Sequence, residues 1–129
     1  MGSDRPVNDG APAQPRILVV EDETILAMML EDVLLDEGYS VVGPFARVAA
    51  ALQAAELEAL DAALLDVNLV GEMVFPVAEM LARRGVPFLL MTGYDNSLLG
   101  KAHQDWPVLT KPYRWDDVVA RLAVMIGRV

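Results

Sequence analysis

Glu21 and Asp22, Asp66, Thr92 and Lys111 each stand where a short apolar run gives way to polar sequence. Brought together, three carboxylates, a hydroxyl and an ammonium would make a charged site with a surplus of negative charge. Two like charges about 4 Å apart repel by roughly 4 kcal/mol at an effective dielectric near 20. Lys111 offsets only one of the three, so the cluster would raise a carboxyl pKa or demand a cation. A divalent ion with oxygen ligands answers that demand. Mg²⁺ suits one or two carboxylates, a carbonyl, several waters and a substrate phosphate. The chemistry is then phosphoryl transfer: Asp66 as nucleophile and phosphoacceptor, Lys111 and Mg²⁺ neutralising charge, Thr92 donating to a phosphoryl oxygen. Singly, each residue has an ordinary reading. Asp22 ahead of Thr24 could be a helix N-cap, Thr92-Gly93 a turn, and Lys111-Pro112 a strand exit. Only their joint position is informative.

That position follows from the elements around them. Ile17-Leu18-Val19-Val20 is apolar without alternation, as in a strand buried on both faces. Thr24 to Glu37 turns helical, with Leu26, Leu30, Val33 and Leu34 on one stripe and Gly38 beyond its end. The alternation repeats. Strands are expected at Ser40–Gly43, Ala62–Asp66, Val86–Met91 and Pro107–Thr110, and helices at Val48–Leu57, Met73–Arg84, a short stretch near Asn96–Ala102, and Trp115–Ile126. Five βα units with short connections predict an α/β fold, a doubly wound five-stranded parallel sheet with helices on both faces. Ligands of such sheets bind outside the carboxyl ends of the strands, where strand order reverses. Glu21, Asp22, Asp66, Thr92 and Lys111 all fall on that rim.

Composition narrows the partners. The 129 residues carry 19 acidic and 10 basic side chains, a net charge of −9. Such a field repels nucleic acid. With 54% hydrophobic residues there is material for a core, and with no cysteine there are no disulfides or thiolate sites. No apolar run reaches the roughly 18 residues of a membrane span, so a cytoplasmic protein is expected. Residues 1–15, rich in Pro and small residues, read as a flexible leader, and 16–127 as one domain.

Leu18-Val19-Val20-Glu21-Asp22, Leu64-Leu65-Asp66, Met91-Thr92-Gly93 and Thr110-Lys111-Pro112-Tyr113, in that order, closely resemble the receiver domain of bacterial two-component response regulators. The resemblance runs from about Arg16 to Ile126. It implies a (βα)5 flavodoxin-like fold with strand order 2-1-3-4-5. It also implies Mg²⁺-dependent phosphotransfer to Asp66 from a histidine kinase or histidine phosphotransfer protein, and a signal switched or relayed through a further protein. By the family's pattern Asp22 and Asp66 ligate Mg²⁺ directly, the backbone carbonyl of Asn68 completes the protein ligands, and Glu21 acts through water. Lys111-Pro112 would be a cis peptide. The chain would accept a phosphoryl group and dephosphorylate itself rather than act as an enzyme.

Pro87-Phe88-Leu89-Leu90-Met91-Thr92-Gly93-Tyr94, with Asp66-Val67-Asn68-Leu69 and Gly71-Glu72, is similar to the FATGUY subgroup of single-domain receivers, which implies an HWE-type kinase. There are departures. Glu21 replaces the first Asp of the usual acidic pair, Val70 stands where Pro is common, and Val108 occupies the place of an aromatic switch residue. Tyr94, two past Thr92, is the candidate to report the phosphoryl state instead.

Two other readings compete. Asp66-Val67-Asn68-Leu69-Val70 superficially resembles the first motif of haloacid-dehalogenase-like phosphohydrolases. Their second Asp is Asn68 here, their nucleophile lies on the first strand, and there is no room for a cap. The other is a pseudo-receiver that only binds, although such domains usually lose one of these residues. Phosphate-loop and dinucleotide motifs are absent. His103 reads as surface loop, and Trp106 and Trp115 as packing around the last strand. Met28, Met29 and Leu35 are expected to be extra core against the final helix, with a kinase-docking or dimer face as the alternative.

Overall fold

β-Branched and leucine-rich runs form the central strands because both of their faces are covered by helices. The computed structural model describes residues 14–69, 71–93 and 105–128. In chain order these give β1 (Arg16–Val20), α1 (Thr24–Asp36), β2 (Ser40–Phe45), α2 (Val48–Leu57), β3 (Ala62–Asp66), β4 (Asn68–Leu69), β5 (Glu72–Met73), α3 (Phe75–Arg84), β6 (Phe88–Thr92), β7 (Val108–Thr110) and α4 (Trp115–Met125). The main sheet is parallel, in the order β2-β1-β3-β6-β7. This is the expected topology, with the small antiparallel hairpin β4–β5 inserted after β3. The helix expected near Asn96–Ala102 and the leader up to residue 13 lie outside the described residues.

Strand alternation sorts the core into two layers. Leu18, Val20, Ala63, Leu65, Phe88 and Leu90 meet Ala51 and Ala55 of α2 and Val77 and Leu81 of α3. Ile17, Val19, Ala62, Leu64, Leu89 and Met91 meet Leu30 and Leu34 of α1 and Val118 and Leu122 of α4. The alanines of α2 let its backbone come close to the sheet, and Arg84 ties α3 to α2 by donating to the carbonyls of Ala55 and Glu58. Trp106 packs edge-on to Phe88, with ring centroids 5.2 Å apart, as expected of a packing residue.

Three local expectations are corrected. Met28, Met29 and Leu35 are not core: Met28 is 59% exposed, and Ile25 beside it is exposed too. Leu30 and Leu34 already fill the seam with α4, and the helix is apolar around a wider arc than that seam can cover. The N-cap of α1 is Glu23, which makes no side-chain cap, so Asp22 does not serve there. β2 continues to Phe45 instead of ending at Gly43. It does so through a bulge, with Leu18 paired to Val42 but Val20 to Phe45, so that two residues oppose Val19. Gly43 holds φ +110°, and a Cβ there would lie 2.8 Å from the Val19 carbonyl oxygen and 2.9 Å from the Phe45 nitrogen. Only glycine fits.

Candidate functional site

Strand order reverses between β1 and β3, because β1 sends its chain on to β2 on one side and β3 lies on the other. Glu21-Asp22 follow β1 and Asp66 closes β3, so the acids sit at the switch point. The β2 bulge carries the sheet up to them: the Glu21 amide donates to the Phe45 carbonyl at 2.9 Å. One carboxylate oxygen from each of Glu21, Asp22 and Asp66 lies within 4.8 Å of the other two.

Among the described residues the buried polar or charged side chains are Glu21, Asp66 and Thr92, at 3%, 6% and 4% exposure. All three are on this rim. Polar burial without structural need is costly, so its concentration at one place marks a site. Lys111 approaches from β7 and its Nζ lies 3.9 Å from Asp66 Oδ1. Its backbone is placed by the pairing of Thr92 with Thr110 and by the Lys111 amide, which donates to the Thr92 carbonyl at 2.7 Å. The Lys111-Pro112 peptide is cis, as the resemblance implied, and so is Gly43-Pro44.

Glu21 carries the electrostatic strain. Its carboxyl pKa is pushed up to about 7, first by burial and then by the neighbouring Asp66 charge, against a backbone hydrogen bond and Lys111 that pull it down. The Glu23 amide donates to Glu21 Oε2 at 3.1 Å. Oε1 is sealed from solvent and receives no hydrogen bond. Its charged neighbour, Asp66, is an acceptor like itself, and such a contact is repulsive until a proton or cation intervenes. An all-oxygen donor set with one orphaned carboxylate oxygen fits a hard divalent cation.

The hairpin after Asp66 was not legible in the sequence. Asn68 pairs with Met73 and Leu69 with Glu72, and the Val74 amide donates to the Val67 carbonyl at 3.1 Å. Glu72 then reaches out of the hairpin. Its Oε1 accepts from Arg47 Nε at 2.9 Å and from the Val48 amide at 3.0 Å. The carboxylate thus caps the start of α2, whose own N-cap residue offers no side-chain bond. The Arg47 partner holds the Glu72 carboxyl below its usual range. The segment carrying Asn68, whose carbonyl was the expected third ligand, is thereby fastened to α2. Tyr94, the expected reporter, and His103 lie outside the described residues.

The comparisons agree with this geometry. Residues 17–123 match the model of the response regulator receiver domain, and the chain belongs to that family. It is 44% identical to SdrG from Sphingomonas melonis Fr1, covering 90% of this chain and 99% of that one with a TM-score of 0.75. It is 27% identical to the receiver domain of the sensor histidine kinase PA1611 from Pseudomonas aeruginosa PAO1. That match covers 89% of this chain and 99% of that domain, at a TM-score of 0.75, and the domain is described with a magnesium ion coordinated in its active site cleft. Among curated proteins it is 27% identical over 128 residues to the transcriptional regulatory protein PdtaR of Mycobacterium tuberculosis, covering 95% of this chain and 62% of that protein. The chain therefore spans less than two thirds of that relative. Receiver domains are in general phosphoacceptors rather than enzymes, interact with histidine kinases or phosphotransfer proteins, and bind Mg²⁺ in an acidic site. No helix among the described residues is long and apolar enough to cross a membrane.

Proposed function

We propose that residues 16–127 form one cytoplasmic receiver unit that takes a phosphoryl group onto Asp66 and passes the signal through a protein partner. The donor is a histidine kinase, HWE-type by the subgroup resemblance, or a histidine phosphotransfer protein. The observation that carries the reading is the burial of Glu21, Asp66 and Thr92 together at the switch point, with Lys111 Nζ 3.9 Å from Asp66.

A carboxylate oxygen of Asp66 attacks the phosphorus of a phosphohistidine. The new O–P bond forms as the N–P bond breaks, and the imidazole leaves with that electron pair. Lys111 sits where it meets the negative charge of the incoming phosphoryl oxygens, and the Thr92 hydroxyl donates to one of them. Asp22, Asp66 and the Asn68 carbonyl would hold Mg²⁺, with Glu21 as the outer carboxylate. When bound, the ion neutralises charge on the transferring group. Phosphorylation adds about −1.5 to −2 charges at Asp66, which biases a two-state loop through a few kcal/mol of differential interaction. Tyr94 reports that change to the partner, and the same site hydrolyses the acyl phosphate slowly. The net charge of −9 favours a protein partner over nucleic acid for these residues.

Incubation with Mg²⁺ and acetyl phosphate, followed by intact mass measurement, tests the reading. Wild type is expected to gain one phosphoryl adduct that Asp66→Asn lacks. Repeated turnover of a phosphate ester with no adduct would instead favour a hydrolase, and no adduct with no Mg²⁺ binding would sink both.

A further inference from the structure

Helix α2 begins without a cap of its own. Its N-cap residue, Arg47, has an extended backbone and makes no side-chain cap bond, so the first amides of the helix need acceptors from elsewhere. A Ser, Thr or Asp at that position would supply one locally. Here the acceptor comes from the hairpin that follows Asp66. A single oxygen, Glu72 Oε1, accepts from the Val48 amide at 3.0 Å and from Arg47 Nε at 2.9 Å.

The connection from β2 to α2 is thereby bonded to both loops that serve the acidic cluster. On one side the Glu21 amide donates to the Phe45 carbonyl at 2.9 Å. On the other, two and three residues further on, Arg47 and Val48 hold Glu72. The base of the hairpin is set by the core, where Val67, Leu69 and Val74 are fully buried. Its strands are two residues each, too short to keep a geometry by themselves. Pairing carries the Glu72 anchor across to the strand of Asn68, because Leu69 opposes Glu72 and Asn68 opposes Met73. An exposed ion pair alone contributes little. The bond to a helix-start amide gives this one a fixed place to pull on.

We propose that Glu72 is a positioning residue of the metal site: by bonding the start of α2 it holds the β4–β5 hairpin, and with it the Asn68 carbonyl, where the cation requires it. The inference rests on the phosphoryl-acceptor reading, and the test separates the two.

Mg²⁺ titration by calorimetry on wild type, Glu72→Ala, Glu72→Gln and Arg84→Ala provides that test. Glu72→Ala is expected to weaken Mg²⁺ binding about two- to threefold, the range of one part-exposed bonded pair. Glu72→Gln keeps an acceptor for the Val48 amide and discards the charge, so its affinity is expected to stay within about 1.5-fold of wild type. Arg84→Ala removes a different tie onto α2, the bonds to the Ala55 and Glu58 carbonyls. It is expected to lower the melting temperature and leave Mg²⁺ affinity unchanged. Coupling is reciprocal, so saturating Mg²⁺ should also slow hydrogen exchange of the Val48 amide about two- to threefold. The Glu58 amide, bonded to the Ala54 carbonyl at the far end of α2, should slow less.

An unchanged Mg²⁺ affinity in Glu72→Ala overturns the proposal. So does an equal loss in Glu72→Gln, which would make the effect one of charge, or an equal loss in Arg84→Ala, which would make it one of stability. Equal slowing of the Val48 and Glu58 amides overturns it too. If wild type itself binds no Mg²⁺, the phosphoryl-acceptor reading falls. If wild type binds and the variants do not separate, this inference falls alone.

Discussion

The two halves of the rim are built differently. At β1 and β3 the carboxylates of Glu21 and Asp66 are almost fully buried, on strands with neighbours on both sides, and a bulge and a hairpin clamp set the loops around them. At β7 the cation comes from a three-residue edge strand, and the Lys111 side chain keeps a third of its surface in water. Glu21 and Asp66 are desolvated before any ligand arrives. The lysine is a long side chain that adjusts. This asymmetry suits the proposed site, which would bind a cation with fixed oxygens and accept a phosphoryl group of changing position, because rigid ligands give metal affinity while a flexible ammonium follows moving charge.

Asp22→Ala should have the largest effect on metal, weakening Mg²⁺ binding by more than about tenfold in calorimetry, since the proposed direct carboxylate ligand is lost. Lys111→Ala should do the opposite to the two functions. Phosphorylation by acetyl phosphate is expected to slow by about 10², while Mg²⁺ binding stays equal or tightens, because a positive charge leaves the neighbourhood of a cation site. If Lys111→Ala abolished Mg²⁺ binding, the two halves would not be separable.

Stability offers a gentler contrast. Gly43→Ala should destabilise by about 1–3 kcal/mol in urea unfolding, given its positive φ and the close Val19 and Phe45 backbone atoms. Gly93→Ala, on the other half, has nothing within 4 Å of the added Cβ and should stay within about 0.5 kcal/mol of wild type. In metal-free protein Glu21 supplies a pH signature. Its folded pKa of about 7 lies above its unfolded value of 4.5, so the folded state holds the proton more tightly. Stability from this group is present below pH 4.5 and is lost as pH rises through 7, by about 1–3 kcal/mol. Unfolding of Glu21→Gln across that window should lack this slope. The smallest effect is expected for Glu72→Ala, which should weaken Mg²⁺ binding about two- to threefold by loosening the hairpin, with the Asp66 adduct still forming.

Much of the scaffold was readable because its signals are local. Ala62–Asp66 and Val48–Leu57 carry their pattern in consecutive residues, and the observed bounds coincide with the expected ones. The hairpin Asn68–Met73 was missed because two-residue strands are too short for any period, and it displaced the start of α3 from Met73 to Phe75. Gly43-Pro44 read as a strand end, since proline leaves a ladder unpaired, but an edge strand accommodates it at a bulge. For Met28 and Leu35 apolar character was plain, and the side of the helix that meets α4 was not.

By itself the sequence determined the alternation of strands and helices, the residue types at each strand end and hence the chemistry available there. Those follow from periodicity and chain order, which neighbouring residues encode. Tertiary structure alone decided that Glu72 caps a helix begun 24 residues earlier, and that Glu21, Asp66 and Thr92 are buried together on one rim. Such contacts depend on which faces meet across the sheet. Burial is a property of the assembled layers, and so is the cost of leaving a carboxylate among them.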